Sequence, residues 1–448
     1  MRKWSPFLFL GLFAGSLYAP PARAQALVVA LGGDMIGPYR AIDKLDDPGF
    51  AAVLALFRSA DVGFANQEGA IFDMEGFDGF PAAENGGGYP RVSVGVASTL
   101  RAGGIGLVSK ANNHATDWGT QGLLATLATL RKADIVQAGA GAGPEAACAP
   151  AMRDGKAALV SAATTFPPMS LPVAAFERRG VPAPAGQGIC AIHVQPVRRV
   201  TAEQLASLHA IAGPVALPTD DGQGVRIGDQ IFRAAGAPGL TWAMKTEDVA
   251  PVLASIQGAH AKGAPVIFAV HAHETAGSAD GMPARDFEPL VLHRANEAPD
   301  GNNVTPADFV PALFHQAVDA GADIVVRTGP HLLGGIEIYN GRPIFYSLGS
   351  LIFDFGGRRT YMATGGQAMS FPDQWYETIV PKVTFSRGRP TEIRLYPATI
   401  DPGAGPGGGL PHLATGAAAK RILSRLAELS AAYGTHIERE GDVGIIRP

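Results

Sequence analysis

Short apolar runs recur along this chain, and each breaks off into a cluster of acid, amide or imidazole side chains. ALVVALGG is followed by Asp34, and DVGFA by Asn66-Gln67-Glu68. IGLVSKA runs into Asn112-Asn113-His114, PVIFAV into His271-Ala272-His273-Glu274, and ADIVV into Arg327-Thr328-Gly329-Pro330-His331. Pro-Ile-Phe-Tyr-Ser lies ahead of Asp354, with Leu348 to Phe353 between. Runs of this length predict buried strands. Between them, Leu123, Leu124, Leu127 and Leu130 fall at helical spacing within Trp118 to Lys132, and Asp117 is placed to cap that helix. Strand, polar loop, helix and strand in this order, from about 26 to 164, predict βαβ units.

The pattern blurs between Phe166 and Ala237, where prolines crowd the first part. Only Thr201 to Ile211 reads as a helix there, opened by a Thr201/Gln204 capping box. This stretch, about 166–240, is an insertion expected to cover the strand edge as lids do. Alternation then returns. Thr246 is placed to cap a helix reaching about Lys262, a strand follows from Pro265 to Val270, and Thr305-Pro306 opens another helix. Thr378–Phe385 and Thr391–Ile400 flank a turn and predict a hairpin. Residues 401–409 form a linker, and the 401–448 extension carries an amphipathic helix over Ala417–Tyr433. The glycine-rich stretch 82–90 is a surface loop by composition.

Composition narrows the class. A 17% charged and 47% hydrophobic chain is a packed globule rather than a disordered one. A net charge of −4 lacks the basic face that nucleic acid requires. At the amino end, Arg2 and Lys3 precede a mostly apolar stretch, Pro6 to Tyr18, and Ala22-Arg23-Ala24 fits signal-peptide cleavage. Residues 1–24 are therefore expected to direct export to the periplasm or exterior with cleavage after Ala24, retention as an anchor being the lesser alternative. Cys148 and Cys190 read equally well as a disulfide and as two half-buried thiols, because spacing carries no distance.

Ligands of α/β sheets bind where strand carboxyl ends converge. Asp, Glu, Asn and His delivered together to such an edge give a mixed oxygen and nitrogen set suited to Zn, Mn or Fe. An Asn oxygen in Asn112-Asn113-His114 can coordinate a metal while His114 stays free to protonate a leaving group, held in one tautomer by Asp117. His271 and His273, two residues apart on an extended chain, lie on one side of it, as two ligands or as one ligand and one substrate contact. Each cluster also has a bland reading. Asn and Asp favour turns anyway, Asp34 could end a strand, and Glu68 could be a solvated acid. Their recurrence tips the balance toward a site. His193, His209, His260, His293, His315, His412 and His436 read as ordinary histidines. Ser347-Leu348-Gly349-Ser350 lacks the arrangement of a nucleophile elbow.

Gly33-Asp34-Met35, Ala65 to Gly69, Ala111 to Gly119, His271 to Glu274 and the stretch 321–354 together resemble the CapA (poly-γ-glutamate capsule synthesis) family, a branch of the calcineurin-like metallophosphoesterases. The resemblance runs from about Leu27 to Asp354. It implies an α/β fold, a four-layer α-β-β-α sandwich over 25–400 with the metal site on loops between two mixed sheets. It implies one or two divalent ions held by Asp34, Glu68, Asn113, His271 and His331, with His114 as the acid oriented by Asp117. Asn66, His273 and Arg327 are expected at the substrate. The superfamily usually has a His where Ile36 stands and another just ahead of Pro-His, where this chain has Arg327-Thr328-Gly329. Those departures leave three options: one metal, two weakly held, or metal charge exchanged for Arg327. The expected activity is hydrolysis of an anionic extracellular polymer or a phosphoester, in company with membrane-associated capsule machinery. The alternative is a polymer-binding or export-assisting protein that has lost catalysis, and a nucleotidase-like phosphatase is a third reading.

Overall fold

The computed structural model describes residues 1, 26–37, 47–82, 89–178, 181–219, 221–275, 305–362, 368–371, 373–403, 405 and 408–448. The expected targeting segment after Met1, His293 and most of the glycine-rich 82–90 loop lie outside them. Burial continuous from Val29 along β1 (Leu27–Ile36), and throughout β2 (Val62–Gln67), β3 (Leu107–Ser109), β4 (Ala157–Ala163), β5 (Val266–His271), β6 (Ile324–Thr328) and β7 (Ser350–Phe353), marks strands covered on both faces. β8 (Glu377–Ser386) and β9 (Arg389–Ile400) form the expected hairpin.

These strands divide between two large mixed sheets. In the first, β2, β1, β8 and β9 are neighbours, with β3 beside β2 and β7 also paired to β1. Pro411–Leu413 and Val443–Ile446 pair with β9, so the carboxyl-terminal extension completes this sheet. In the second, β4, β5 and β6 run parallel, flanked by Ala151–Arg153 and Arg342–Phe345. The insertion forms its own five-stranded sheet between residues 194 and 244, and its Thr201/Gln204 capping box is present.

Side-chain parity sets the packing. Val29, Leu31, Phe64 and Leu107 of the first sheet meet Leu159, Ile267, Ala269, Ile324 and Val326 of the second in one apolar cluster. The opposite faces carry helices. Ala30, Ala65 and Val108 pack with Phe50, Leu54 and Phe57 of α1 (Pro48–Arg58) and Leu100 of α2 (Gly95–Ala102). Val160, Phe268, Val270 and Val325 pack with Val252 and Ile256 of α4 (Thr246–His260) and Leu313 and Phe314 of α5 (Phe309–Asp319). Each such Leu or Phe contributes roughly 1.5–3 kcal/mol when fully buried. Further helices are α3 (Gly119–Lys132) and α6 (Gly416–Ala431).

Several helix starts differ from the sequence reading. α3 begins at Gly119 after Trp118 with no side-chain cap, because Asp117 is engaged by His114 instead. Thr246 is the first residue of α4 rather than its cap. α5 begins at Phe309, three residues beyond Pro306, and Asp308 at its start bonds the Trp242 amide and the Thr241 hydroxyl. Cys148 and Cys190 are joined as a disulfide, which resolves that pair of readings. Among the described residues no helix is long and apolar enough to cross a membrane.

Candidate metal centre

Parity along the parallel strands decides which side chains enter the gap between the sheets. On β5, Ile267 and Ala269 face the first sheet, so His271 does too. On β2, Phe64 faces the second sheet and Asn66 follows it. Asp34 needs a correction to join them. Leu31 pairs with Phe64 and Asp34 with Asn66, so β1 carries one extra residue at Gly32-Gly33. This bulge turns Asp34 from the α1 side to the inter-sheet side. Glycine is needed at the kink, since a Cβ on Gly33 would lie 1.8 Å from the Gly349 carbonyl oxygen.

The donors then converge. Asp34, Glu68 and His331 offer atoms all within 4.8 Å of one another, and so do Glu68, His271 and His273. Glu68 belongs to both groups. It is fully buried, and neither of its oxygens has a hydrogen-bond partner. Burial, then the nearby Asp34 carboxylate, pushes its pKa well above the ordinary carboxylate range. His271 Nε2 stands 3.6 Å and His331 Nε2 3.9 Å from Glu68 Oε1. Stranding a buried carboxylate costs several kcal/mol unless a cation answers it. These donors therefore fit a divalent ion, and their mixed nitrogen and oxygen chemistry suits Mn, Zn or Fe.

Supporting contacts fix each donor. Asn112 Nδ2 donates to the Gln67 carbonyl and Asn66 Nδ2 to Asp34 Oδ1, at 2.9 and 2.8 Å. The Gly329 amide donates to Asp34 Oδ2 at 2.9 Å. His271 Nδ1 lies 3.0 Å from Thr328 Oγ1, and His331 Nδ1 3.0 Å from Ser350 Oγ. Burial first, then neighbouring imidazoles, hold the His271 and His273 pKa values well below the ordinary histidine value, keeping their lone pairs available. His114 Nδ1 lies 2.7 Å from Asp117 Oδ2, the expected pairing, and both residues and Asn113 are buried.

Two residues expected at the substrate are occupied inside the protein. Asn66 is fully buried and donates to Asp34. Arg327 follows the parity of Val325, away from the inter-sheet gap, and is 1% exposed. Its Nε donates to the Ala272 carbonyl at 2.9 Å and its Nη2 to the Glu274 carbonyl at 2.6 Å. The same segment is gripped from β4's end, where Thr164 and Thr165 hydroxyls donate to the Glu274 carboxylate and Thr165 Oγ1 accepts from the His273 amide. Arg327 thus fixes the loop bearing both imidazoles. Lys110 escaped the sequence reading. Its buried ammonium, brought down to about 8 by burial, donates to the carbonyls of Gln67 and Gly69 at 3.1 and 3.0 Å, which shapes the turn carrying Glu68. A lysine inside the apolar run IGLVSKA was the available signal.

A family model described as bacterial capsule synthesis protein PGA_cap matches residues 28–279 and 297–355. Two uncharacterized proteins of Sinorhizobium fredii, y4uA and y4sH, are each 32% identical over 94% of this chain and 92% of their own length. A shorter stretch, 12% of the chain, is 53% identical to the PGA biosynthesis protein CapA of Bacillus subtilis, covering 14% of that protein. The capsule biosynthesis protein CapA of Bacillus anthracis is 47% identical over a stretch of the same extent, 13% of its own length.

Proposed function

The chain belongs to the bacterial capsule synthesis protein family, and from that premise we propose that it is an exported metal-dependent hydrolase acting on an anionic extracellular polymer or a phosphoester. The observation that carries this reading is Glu68, a buried carboxylate with both oxygens unpartnered and shared by two groups of metal-ligating side chains. The same premise supports reading the two sheets and their outer helices as the four-layer sandwich of the calcineurin-like metallophosphoesterases. Export, cleavage after Ala24 and association with capsule machinery are parts of this proposal.

Asp34, Glu68, Asn113, His271 and His331 would hold the ion. When bound, a Mn, Zn or Fe ion supplies Lewis acidity toward a phosphoryl or carbonyl oxygen and readies water for attack. Asp117 holds the His114 ring through Nδ1, and His114 would supply the proton that a departing oxygen or nitrogen needs. Asn66 and Asn112 keep Asp34 and the Gln67-Glu68 turn in place. The buried walls keep bulk water from the reacting groups.

Elemental analysis of protein purified without chelators, coupled to turnover of a generic phosphodiester and of poly-γ-glutamate, tests this. Bound Mn, Zn or Fe with turnover is expected, and both should vanish in His271→Ala while far-UV circular dichroism holds. Asn113→Ala should lose turnover. Undiminished turnover in either variant overturns the hydrolase. The second reading, a polymer-binding protein without catalysis, is favoured by Ile36 standing where the superfamily usually carries a His, and by Arg327-Thr328-Gly329 occupying the stretch where relatives carry another ahead of Pro-His. It requires saturable polymer binding with no cleavage.

A further inference from the structure

The acid pair and the imidazole loop belong to different sheets, and one short segment touches both. His114 and Asp117 follow β3 of the first sheet, whereas His271 to Glu274 end and follow β5 of the second. β4 stops at Ala163, and Thr164 and Thr165 beyond it bond the Glu274 carboxylate and the His273 amide. The Thr164 amide adds a bond to the His271 carbonyl at 2.9 Å. Six residues after Thr164 the chain reaches Ser170, which is fully buried. Its Oγ lies 2.5 Å from Oγ1 of Thr116, a buried residue next to Asp117.

The span between these two holds is stiff. Pro167 and Pro168 fix φ at two successive positions. Pro168–Ser170 then closes as one 3₁₀ turn, the Ser170 amide donating to the Pro167 carbonyl at 2.9 Å. Phe166 packs with a cluster of Ala163, Ile189 and Ala115, so apolar contact also joins the segment to the acid loop. The returning chain presses on it at Gly188, where a Cβ would lie 2.5 Å from the Ser170 carbonyl oxygen. Cys190 secures that return. Its carbonyl accepts from the Ala163 amide, and its sulfur is bonded to Cys148.

We propose that Thr164–Ser170 is a spacer that sets where the acid stands relative to the imidazole loop, with Ser170 as a positioning residue acting on His114 and Asp117 through Thr116. This rests on His114 being the acid of the proposed hydrolase, while the spacer itself does not require turnover. Proton delivery needs the acid within hydrogen-bond reach of the departing atom, and misplacement by about 1 Å costs on the order of a hundredfold. The cost falls hardest on leaving groups that depart poorly without a proton.

Two readouts on the full chain test this, with Ser170→Ala and the isosteric Thr116→Val as variants and Thr116→Ser as the rescue. Amide hydrogen exchange over residues 113–119 should speed up about tenfold in both variants, the equivalent of one buried hydrogen bond. It should return to the parent rate in Thr116→Ser, and β6 should keep its parent rate throughout. No change at 113–119 overturns the inference, as does an equal rise in β6, which would be a global loss of stability. The second readout is hydrolysis of aryl phosphodiesters with leaving groups from nitrophenolate to phenolate. Ser170→Ala and Thr116→Val should lose about tenfold more kcat on the phenolate ester than on the nitrophenolate ester, with KM little changed. Equal losses along the series would make the hydroxyl pair a support of the fold alone and overturn the inference. A parent that turns over neither these esters nor poly-γ-glutamate, yet shows the local exchange change, overturns the hydrolase and supports the spacer.

Discussion

A carboxylate buried out of reach of every donor costs roughly 1–3 kcal/mol, more when charged. Glu68 carries that cost in the metal-free protein, and Asp34 adds like charge. Replacing it by the isosteric amide removes the charge and keeps the shape. Glu68→Gln is therefore expected to raise the stability of the metal-free protein by about 1–2 kcal/mol in urea unfolding. The same change should weaken metal binding at least tenfold. A variant less stable than the parent without metal would show that Glu68 is satisfied by contacts other than an ion. Residues of this kind explain what a sequence hides. Asp34 reads as a metal ligand from its type and position, but its aim depends on one extra residue in β1 that no periodicity announces. Arg327 reads as a substrate contact, while the parity of IVVRT already places it on the same face as Val325.

At the scale of elements, the ends of β4, β5 and β6 act together. Arg327 from β6 and Thr164 and Thr165 beyond β4 hold the four residues His271 to Glu274 from both sides. Arg327→Met leaves the Ala272 and Glu274 carbonyls without this donor and a buried carboxylate without its nearest cation. A loss of about 3–5 kcal/mol is expected, read by urea unfolding. Arg327→Lys, which cannot bridge both carbonyls with the same fork, should recover part of the stability while metal affinity stays reduced. Full affinity in the lysine variant would reduce Arg327 to bulk. The strands themselves were legible, because runs such as PVIFAV and ADIVV are buried on both faces and end in polar clusters. The helix starts were less so. Asp117 has the chemistry of a cap, but His114 takes it, so a correct propensity gives a wrong boundary. The insertion's sheet was missed because its strands are short and only partly buried.

Across the whole molecule the two sheets are also tied at the rim. Asp134, on the turn after α3, accepts from Arg101 of α2 and from Arg153 on the edge strand of the second sheet, at 2.9 and 2.8 Å. Hydrogen bonds from Arg153, then Arg101, bring its pKa from 3.8 down to about 2. A depressed carboxylate stabilises above its ordinary value, and that contribution is lost as pH falls through the folded value. The carboxylate is exposed, so salt screens it. Asparagine tolerates the φ of +57° found there. Asp134→Asn should lower the melting temperature slightly at pH 7, and the difference should close as pH falls from about 4 toward 2 or as salt reaches 1 M. A difference independent of pH would mean that shape, and not charge, links the sheets.

β1 begins at Leu27, yet two of its three partners are β7, near residue 350, and β8, near residue 380. During synthesis its apolar face finds β2 early and then waits for more than three hundred residues before the sheet can close. Loop closure over that span is slow as well as entropically costly. The order of assembly is thus written into the connectivity. The Asp34 bulge, built against Gly349, cannot take its final form until residue 349 has emerged, so this part of the sheet stays unclosed for most of the chain's production.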